Sequence, residues 1–321
     1  MMKQFLAIEI GGTKLQIFVG DEQANILERW RFDVAPKFGG AGIRAQIENA
    51  LPDILRAHNV AAVGVGYGGP VDWRTGKICC SHQIEGWADF PLGAWLHQQA
   101  RRPVVIDNDA NCGALGEALR GAGQGSNPVF YVTLGSGVGG GLVVDGKIFH
   151  GAKPGESEIG HVRLDRAGTI IEQRCSGWAV DHIVRAVTQQ DPASKLARLA
   201  AGLEAGQARA LAPALQENCS LAQKILAEVA EHLAFGLSHV THLMHPQIII
   251  LGGGLSLLGE PLRAAVEAAL RRFVMEAFGG GPAIALATLR EDAVPVGALL
   301  LSCSAIGSGP GYDGQQQIPI K

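Results

Sequence analysis

Phe5-Leu-Ala-Ile-Glu-Ile-Gly-Gly-Thr-Lys-Leu-Gln-Ile-Phe-Val19 sets two apolar runs, Phe5 to Ile10 and Leu15 to Val19, on either side of Gly-Gly-Thr-Lys. That is the pattern of a β-hairpin with a glycine turn. It returns in the second half of the chain. Phe130 to Leu134 and Leu142 to Val144 are again strand-like, joined by Gly135-Ser-Gly-Val-Gly-Gly-Gly141 and closed by a turn at Asp145-Gly146. The chain therefore reads as two related halves.

Outward from the first hairpin, Ala61 to Val65 and Val104 to Ile106 read as strands, and helical periodicity marks Ile43 to His58 and Ala110 to Arg120. In the back half a helix over Leu221 to His245 meets Pro246. The buried strand Gln247-Ile-Ile-Ile-Leu251 ends at three glycines, and a helix is expected from about Leu262 to Phe278. This is mixed α/β, and 321 residues suffice for two domains. The expected lobes are 1–115, joined by a C-terminal helix at about 292–306, and 116–291, with the ligand cleft between them. The Gly-, Pro- and Gln-rich stretch 307–321 has little to bury and is expected to be a flexible tail.

Charge and composition exclude several functions. A net charge of −3, with both signs spread along the chain, leaves no basic stripe for nucleic acid. Six cysteines without a CxxC pair read as free thiols of a reducing compartment. The short apolar start lacks a signal-peptide pattern, and the apolar stretches at Gln247 to Leu258 and Val294 to Ile306 fall short of the roughly 20 residues that cross a bilayer. A cytoplasmic protein without a membrane partner is expected.

Three glycine turns stand at strand ends: Gly11-Gly12-Thr13-Lys14, Gly135-Ser136-Gly137 with Gly139 to Gly141, and Gly252-Gly253-Gly254. Glycine lets backbone N–H groups reach phosphate oxygens with no Cβ in the way, and Thr13 and Ser136 add hydroxyl donors. Any one of these is as readily a plain turn; three together point to phosphate. GxGxxG spacing occurs at Gly64 to Gly69 and at Gly135 to Gly140, but the first runs into Pro70 and the second into a strand. A dinucleotide site requires a helix there.

Val104-Val-Ile-Asp-Asn-Asp-Ala-Asn111 puts Asp107, Asn108 and Asp109 where an apolar strand meets a helix. A helix N-terminus favours an ionised carboxylate, and phosphoryl transfer needs only a carboxylate of ordinary basicity to take a hydroxyl proton late. Asp109 fits that base; its simplest structural role is a helix cap. Downstream, Glu158 and His161 in Gly155-Glu-Ser-Glu-Ile-Gly-His161, with Glu172, offer charge-assisted hydrogen bonds to the hydroxyls of a sugar. His161 as a metal ligand or a structural histidine is the competing role.

In order, EIGGTK, VVIDNDAN, TLGSGVGGGLVVDGKIFHGA and GESEIGH resemble the ROK family of sugar kinases and related repressors, over about Phe5 to Leu301. The resemblance implies the two-lobed actin-like ATPase (ribonuclease H-like) fold, ATP with Mg²⁺, a homodimer, and phosphorylation of a hexose or hexosamine. It makes Asp109 the catalytic base and Asn108 a sugar contact. Glu158, His161 and Glu172 become sugar-hydroxyl ligands, with Gly68 and Gly69 beside the sugar. Glu9, Gly11, Gly12, Thr13, Lys14, Ser136 and Gly137 correspond to the phosphate loops, and Gly252, Gly253 and Gly254 to the adenosine-side loop.

Two departures stand out. Where many relatives carry a CxCGxxGC zinc cluster, this chain reads Asp165-Arg-Ala-Gly-Thr-Ile-Ile-Glu172, so no zinc is expected and His161 is to be held by packing or hydrogen bonds. Glu9 replaces the usual Asp, a change that magnesium, bound mainly through ATP and water, would tolerate. The family's repressors carry a helix-turn-helix ahead of the first strand, where this chain begins at once, and a non-catalytic sugar sensor would not need Asp109. Glucose is the first expectation for the substrate. Fructose, mannose, allose, N-acetylglucosamine and N-acetylmannosamine remain alternatives, as does polyphosphate as donor.

Overall fold

The first hairpin forms where its glycines allow the chain to turn. Strands β1 (Gln4–Ile10) and β2 (Lys14–Gly20) pair antiparallel with Glu9 opposite Gln16, and the Gly11 N–H donates to the Lys14 carbonyl at 3.0 Å. The computed structural model describes residues 3–12, 14–79, 85–153, 155 and 157–307. Thr13 and, of the expected tail 307–321, all but Gly307 thus lie outside the described residues.

There follow β3 (Ile26–Asp33), α1 (Gly39–Ala57), β4 (Val60–Tyr67), β5 (Val71–Asp72), β6 (Lys77–Ile78), α2 (Leu92–Ala100), β7 (Val104–Asn108) and α3 (Asp109–Arg120). The back half contains β8 (Val129–Leu134), β9 (Val138–Val144), β10 (Lys147–Ile148), α4 (Glu172–Cys175), α5 (Gly177–Gln190), α6 (Lys195–Ala200), α7 (Leu211–Gln216), α8 (Ser220–Met244), β11 (Ile248–Gly252), α9 (Glu260–Leu270), β12 (Ala283–Leu286) and α10 (Ala293–Ser304).

The chain divides into two compact units, Met1–Gln124 with Gly141–Glu156 and Glu291–Lys321, and Gly125–Gly140 with Ser157–Arg290. In the first unit the sheet runs β3-β2-β1-β4-β7. Strands β1, β4 and β7 are parallel, and the register Ile10 to Tyr67 and Tyr67 to Asn108 brings their carboxyl ends level. Helix α1 buries Ile43, Ile47, Leu51 and Ile54, a helical-period stripe, in the core that holds Leu6, Ile8, Val63 and Val65. Helix α10 is apolar on nearly every face because it packs on α3, β4 and β1 together. Its Gly297 is required there, since a Cβ would stand 1.8 Å from the Cys112 carbonyl oxygen.

The second sheet runs β10-β9-β8-β11-β12, with β8, β11 and β12 parallel and Gly252 level with Thr133. The two sheets thus share one plan, a hairpin followed by parallel strands, as the repeated glycine-turned pattern suggests. No described helix is long and apolar enough to cross a membrane.

Two elements differ from the sequence expectation. Gly139 to Gly141 are strand residues of β9, not loop: a side chain on Gly140 would strike Ile159 and Phe130, and one on Gly141 would strike Ala114 and the Ala110 carbonyl. At Gly140 and Gly141 glycine supplies close packing, not turning. Helix α9 stops at Leu270, eight residues early, because the chain beyond it turns back on α8, with Phe273 edge-on to Phe235 and the Met275 N–H bonded to His242.

Candidate active site

The level carboxyl ends of β1, β4 and β7 gather the first set of predicted residues, at the place where open α/β sheets bind ligands. Gly68 N–H donates to the Ile10 carbonyl at 2.8 Å, and Asn108 Nδ2 donates to the Gly69 carbonyl at 3.2 Å. A Cβ on Gly68 would lie 3.4 Å from Asp109 Oδ2, so this carboxylate stands directly over the glycine turn. The cap of α3 is Asn108, whose Oδ1 accepts the N–H groups of Ala110 and Asn111 at 2.8 and 3.2 Å. Asp109 is thereby relieved of the capping role and occupies the first helical position, partly exposed, with Oδ1 accepting the Ala110 N–H at 2.8 Å.

Glu9 is nearly buried, and both its oxygens are engaged: Lys14 Nζ lies 3.0 Å from Oε1 and Gln16 Nε2 donates to Oε2 at 2.7 Å. Gln16 in turn accepts from Arg31 Nε at 2.6 Å, and Arg31 pairs with Glu291. This donor set ties Lys14 back over the glycine turn. It does not present an open carboxylate to a cation, so a magnesium ion near Glu9 fits only on water and nucleotide oxygens.

The second unit carries the remaining residues. Glu158, Ile159, Gly160 and His161 form one tight turn: Ile159 and Gly160 are buried, Gly160 against the Val138 carbonyl, while Glu158 and His161 are exposed. The backbone alone fixes that division, with His161 N–H bonded to the Glu158 carbonyl at 3.0 Å. Glu172 opens α4 behind the fully buried Ile171, and its Oε2 accepts the Val138 N–H at 2.9 Å. This predicted sugar ligand therefore lies beside the Gly135–Ser136–Gly137 turn, where Gly135 N–H donates to the Gly137 carbonyl and the Ser136 side chain is exposed.

At the end of β11, Gly252 lies against the Tyr131 ring and Gly253, at φ +77°, against the Leu134 backbone; only Gly254 has open space beside it. The glycine requirement at the first two is met by packing. The loop follows β11 at the level where Ser136 follows β8.

Between His161 and Glu172 the chain makes a small hairpin, with Arg163 bridged to Ile170 and Leu164 N–H donating to the Thr169 carbonyl at 2.7 Å. Asp165 Oδ1 closes it by accepting the N–H groups of Gly168 and Thr169 at 2.9 and 3.1 Å. Among the described residues no group of three or more His, Cys, Asp or Glu side chains is placed to hold a metal ion.

One pair had little sequence signal. Asp107, 2% exposed, meets His150 Nε2 through its Oδ2 at 2.7 Å, and the His150 ring is stacked on Trp73. Only His150's place at the end of the third motif hinted at it.

The glycine-turned hairpin leading into parallel strands, present in both sheets, and a carboxylate at the helix after β7 define an α/β protein of the actin-like ATPase fold. A statistical model of the ROK family matches residues 5–304, and the chain belongs to that family. It is 29% identical over 307 residues to a glucokinase of Halalkalibacterium halodurans, covering 91% of this chain and 93% of that one. The ROK family glucokinase of Streptomyces griseus, solved with glucose and AMPPNP, superposes with a TM-score of 0.80 at 30% identity over 93% of this chain and 99% of that one. The ROK hexokinase of Thermus thermophilus gives 0.76 at 27% identity, over 93% and 97%.

Proposed function

We propose that this chain is an ATP-dependent sugar kinase that phosphorylates a hexose hydroxyl, glucose first, with Asp109 as the base. The observation that carries the reading is the placement of Asp109: first in α3, behind the cap residue Asn108, and facing Gly68 at the level ends of three parallel strands. The similarity to glucokinases supports the substrate class.

ATP supplies the γ-phosphoryl group, with Mg²⁺ carried on its oxygens and water. The backbone of Gly11, Gly12, Ser136 and Gly137 cradles phosphate, Thr13 and Lys14 add donors, and Gly252 to Gly254 border the adenosine. Asn108, Gly68, Gly69, Glu158, His161 and Glu172 hold the sugar hydroxyls. Asp109 accepts the proton of the attacking hydroxyl as the phosphoryl group arrives, so positioning matters more than basicity. The enzyme acts in the cytoplasm as a homodimer, without zinc.

The test is ADP release with ATP and Mg²⁺ against a panel of hexoses and N-acetylhexosamines. Glucose-dependent release, abolished in Asp109→Asn while sugar binding persists, is expected; turnover by Asp109→Asn would remove the base, and silence with every sugar would remove the kinase.

A further inference from the structure

The kinase reading gives no task to the buried Asp107 or to the His150 imidazole that meets it. Asp107 ends β7 next to the cap residue, and its Oδ1 accepts two hydrogen bonds, from the Asn108 N–H at 2.8 Å and from Asn111 Nδ2 at 2.9 Å. Both donors belong to the segment that carries Asp109. Its Oδ2 meets His150 Nε2 at 2.7 Å, and the His150 side chain is only 15% exposed.

His150 is itself fixed. Its ring lies on Trp73 with centroids 4.2 Å apart and planes within 19°. The following residues run by the same turn: Lys153 pairs with Asp72, and a Cβ on Gly155, at φ +89°, would stand 3.4 Å from the Trp73 ring. Burying a carboxylate is unfavourable without a partner, and an apolar residue would serve packing alone better. The pair therefore does more than fill the core.

We infer that His150 is a positioning residue for the phosphoryl transfer proposed above, acting through Asp107 to fix the direction in which Asp109 presents its carboxylate. His150 donates its Nε2–H to Asp107 Oδ2, which locks the carboxylate plane. The locked Oδ1 then holds Asn108 and Asn111, one on each side of Asp109. With the donor lost, the carboxylate turns, and the first turn of α3 turns with it. The effect belongs on kcat more than on sugar affinity: of the sugar contacts proposed above, Asn108 is the one held directly by Asp107, while Glu158, His161 and Glu172 of the second unit are untouched. The inference rests on the kinase reading.

The experiment compares the unaltered protein with His150→Phe, which keeps a ring on Trp73 but has no donor, His150→Gln, which keeps an N–H donor, and Asp107→Asn. Steady-state kcat, sugar KM and melting temperature are measured for each. His150→Phe and Asp107→Asn are expected to lose about 10- to 100-fold in kcat with a clearly smaller change in sugar KM, as for a lost orienting contact behind a reacting group. His150→Gln is expected to recover to within about threefold of the unaltered rate. Unimpaired turnover by His150→Phe, or by Asp107→Asn should the former not fold, overturns the inference, and so does a His150→Gln as slow as His150→Phe. If the unaltered chain turns over and Asp109→Asn does not, such a result removes this role alone. An unaltered chain that turns over no sugar removes the kinase reading and this role with it.

Discussion

Glu172 and Gly137 are in contact across the second glycine turn: the carboxylate that accepts the Val138 N–H at 2.9 Å passes so close that a Cβ on Gly137 would stand 2.4 Å from its Oε2. A predicted sugar ligand and a predicted phosphate loop are thus locked to one another.

Gly137→Ala should therefore push Glu172 off the Val138 N–H. Losing a hydrogen bond to a charged group is worth about 1.5–3 kcal/mol, which predicts a roughly 10- to 100-fold rise in sugar KM with the fold retained. Kinetics beside a melting curve check it; an unchanged KM would show that Glu172 does not need that anchor.

Glu9→Ala should destabilise the first unit. Lys14, 45% exposed, can turn to water, but Gln16 is wholly buried and its Nε2 would lose its acceptor. An unsatisfied buried donor costs about 1–3 kcal/mol, readable as a lower denaturant midpoint. Glu9→Gln, which keeps an acceptor, should recover most of it.

Cys175 and Cys303 should resist alkylation. Burial pushes the thiol of Cys175 up to about 12, and burial with the nearby Glu22 and Asp21 does the same for Cys303. At pH 8 the thiolate, the reactive form, is then about one part in ten thousand. Among the described cysteines only Cys79 is exposed, so mass spectrometry after native iodoacetamide treatment should find it modified and those two intact.

The hairpin from Arg163 to Ile170 should respond to acid and not to chelators. Hydrogen bonds from Thr169 and from the Gly168 and Ala167 backbone hold the Asp165 carboxyl below its ordinary value of 3.8. A lowered acid stabilises the fold above its unfolded pKa, and that contribution disappears as pH falls from about 4 through the lowered value. Protection of the Gly168 and Thr169 amides, relative to their intrinsic exchange rates, should fall only there, and in Asp165→Ala at any pH. A chelator should leave the melting temperature unchanged; a drop would reveal a bound metal.

Much of this was readable in the chain because the signals are local. Asn108 and Asp109 sit where an apolar strand gives way to helix, a junction that a few consecutive residues reveal, although the cap is Asn108 and not Asp109 as the sequence suggested. The buried pair and exposed pair within Glu158 to His161 likewise follow from spacing within one turn. What could not be read depends on partners distant in sequence. Asp107 and His150 are 43 positions apart, and Arg31 reaches Glu291 over 260. Gly139 to Gly141 looked like loop because glycine carries no strand preference; neighbours that forbid a side chain explain Gly140 and Gly141.

Helix α10 lies in the core of the unit that begins with β1, yet it is made after every element of the second unit. At ~5–20 residues per second, translation needs on the order of ten to thirty seconds to pass from α3 to α10. During that interval the nascent first unit has its sheet sequence but not the helix that covers it, so β4 and α3 wait with an apolar face uncovered. The first unit started is the last one finished, and a ribosome that stalls before Ala293 leaves a sticky intermediate for chaperones to shield.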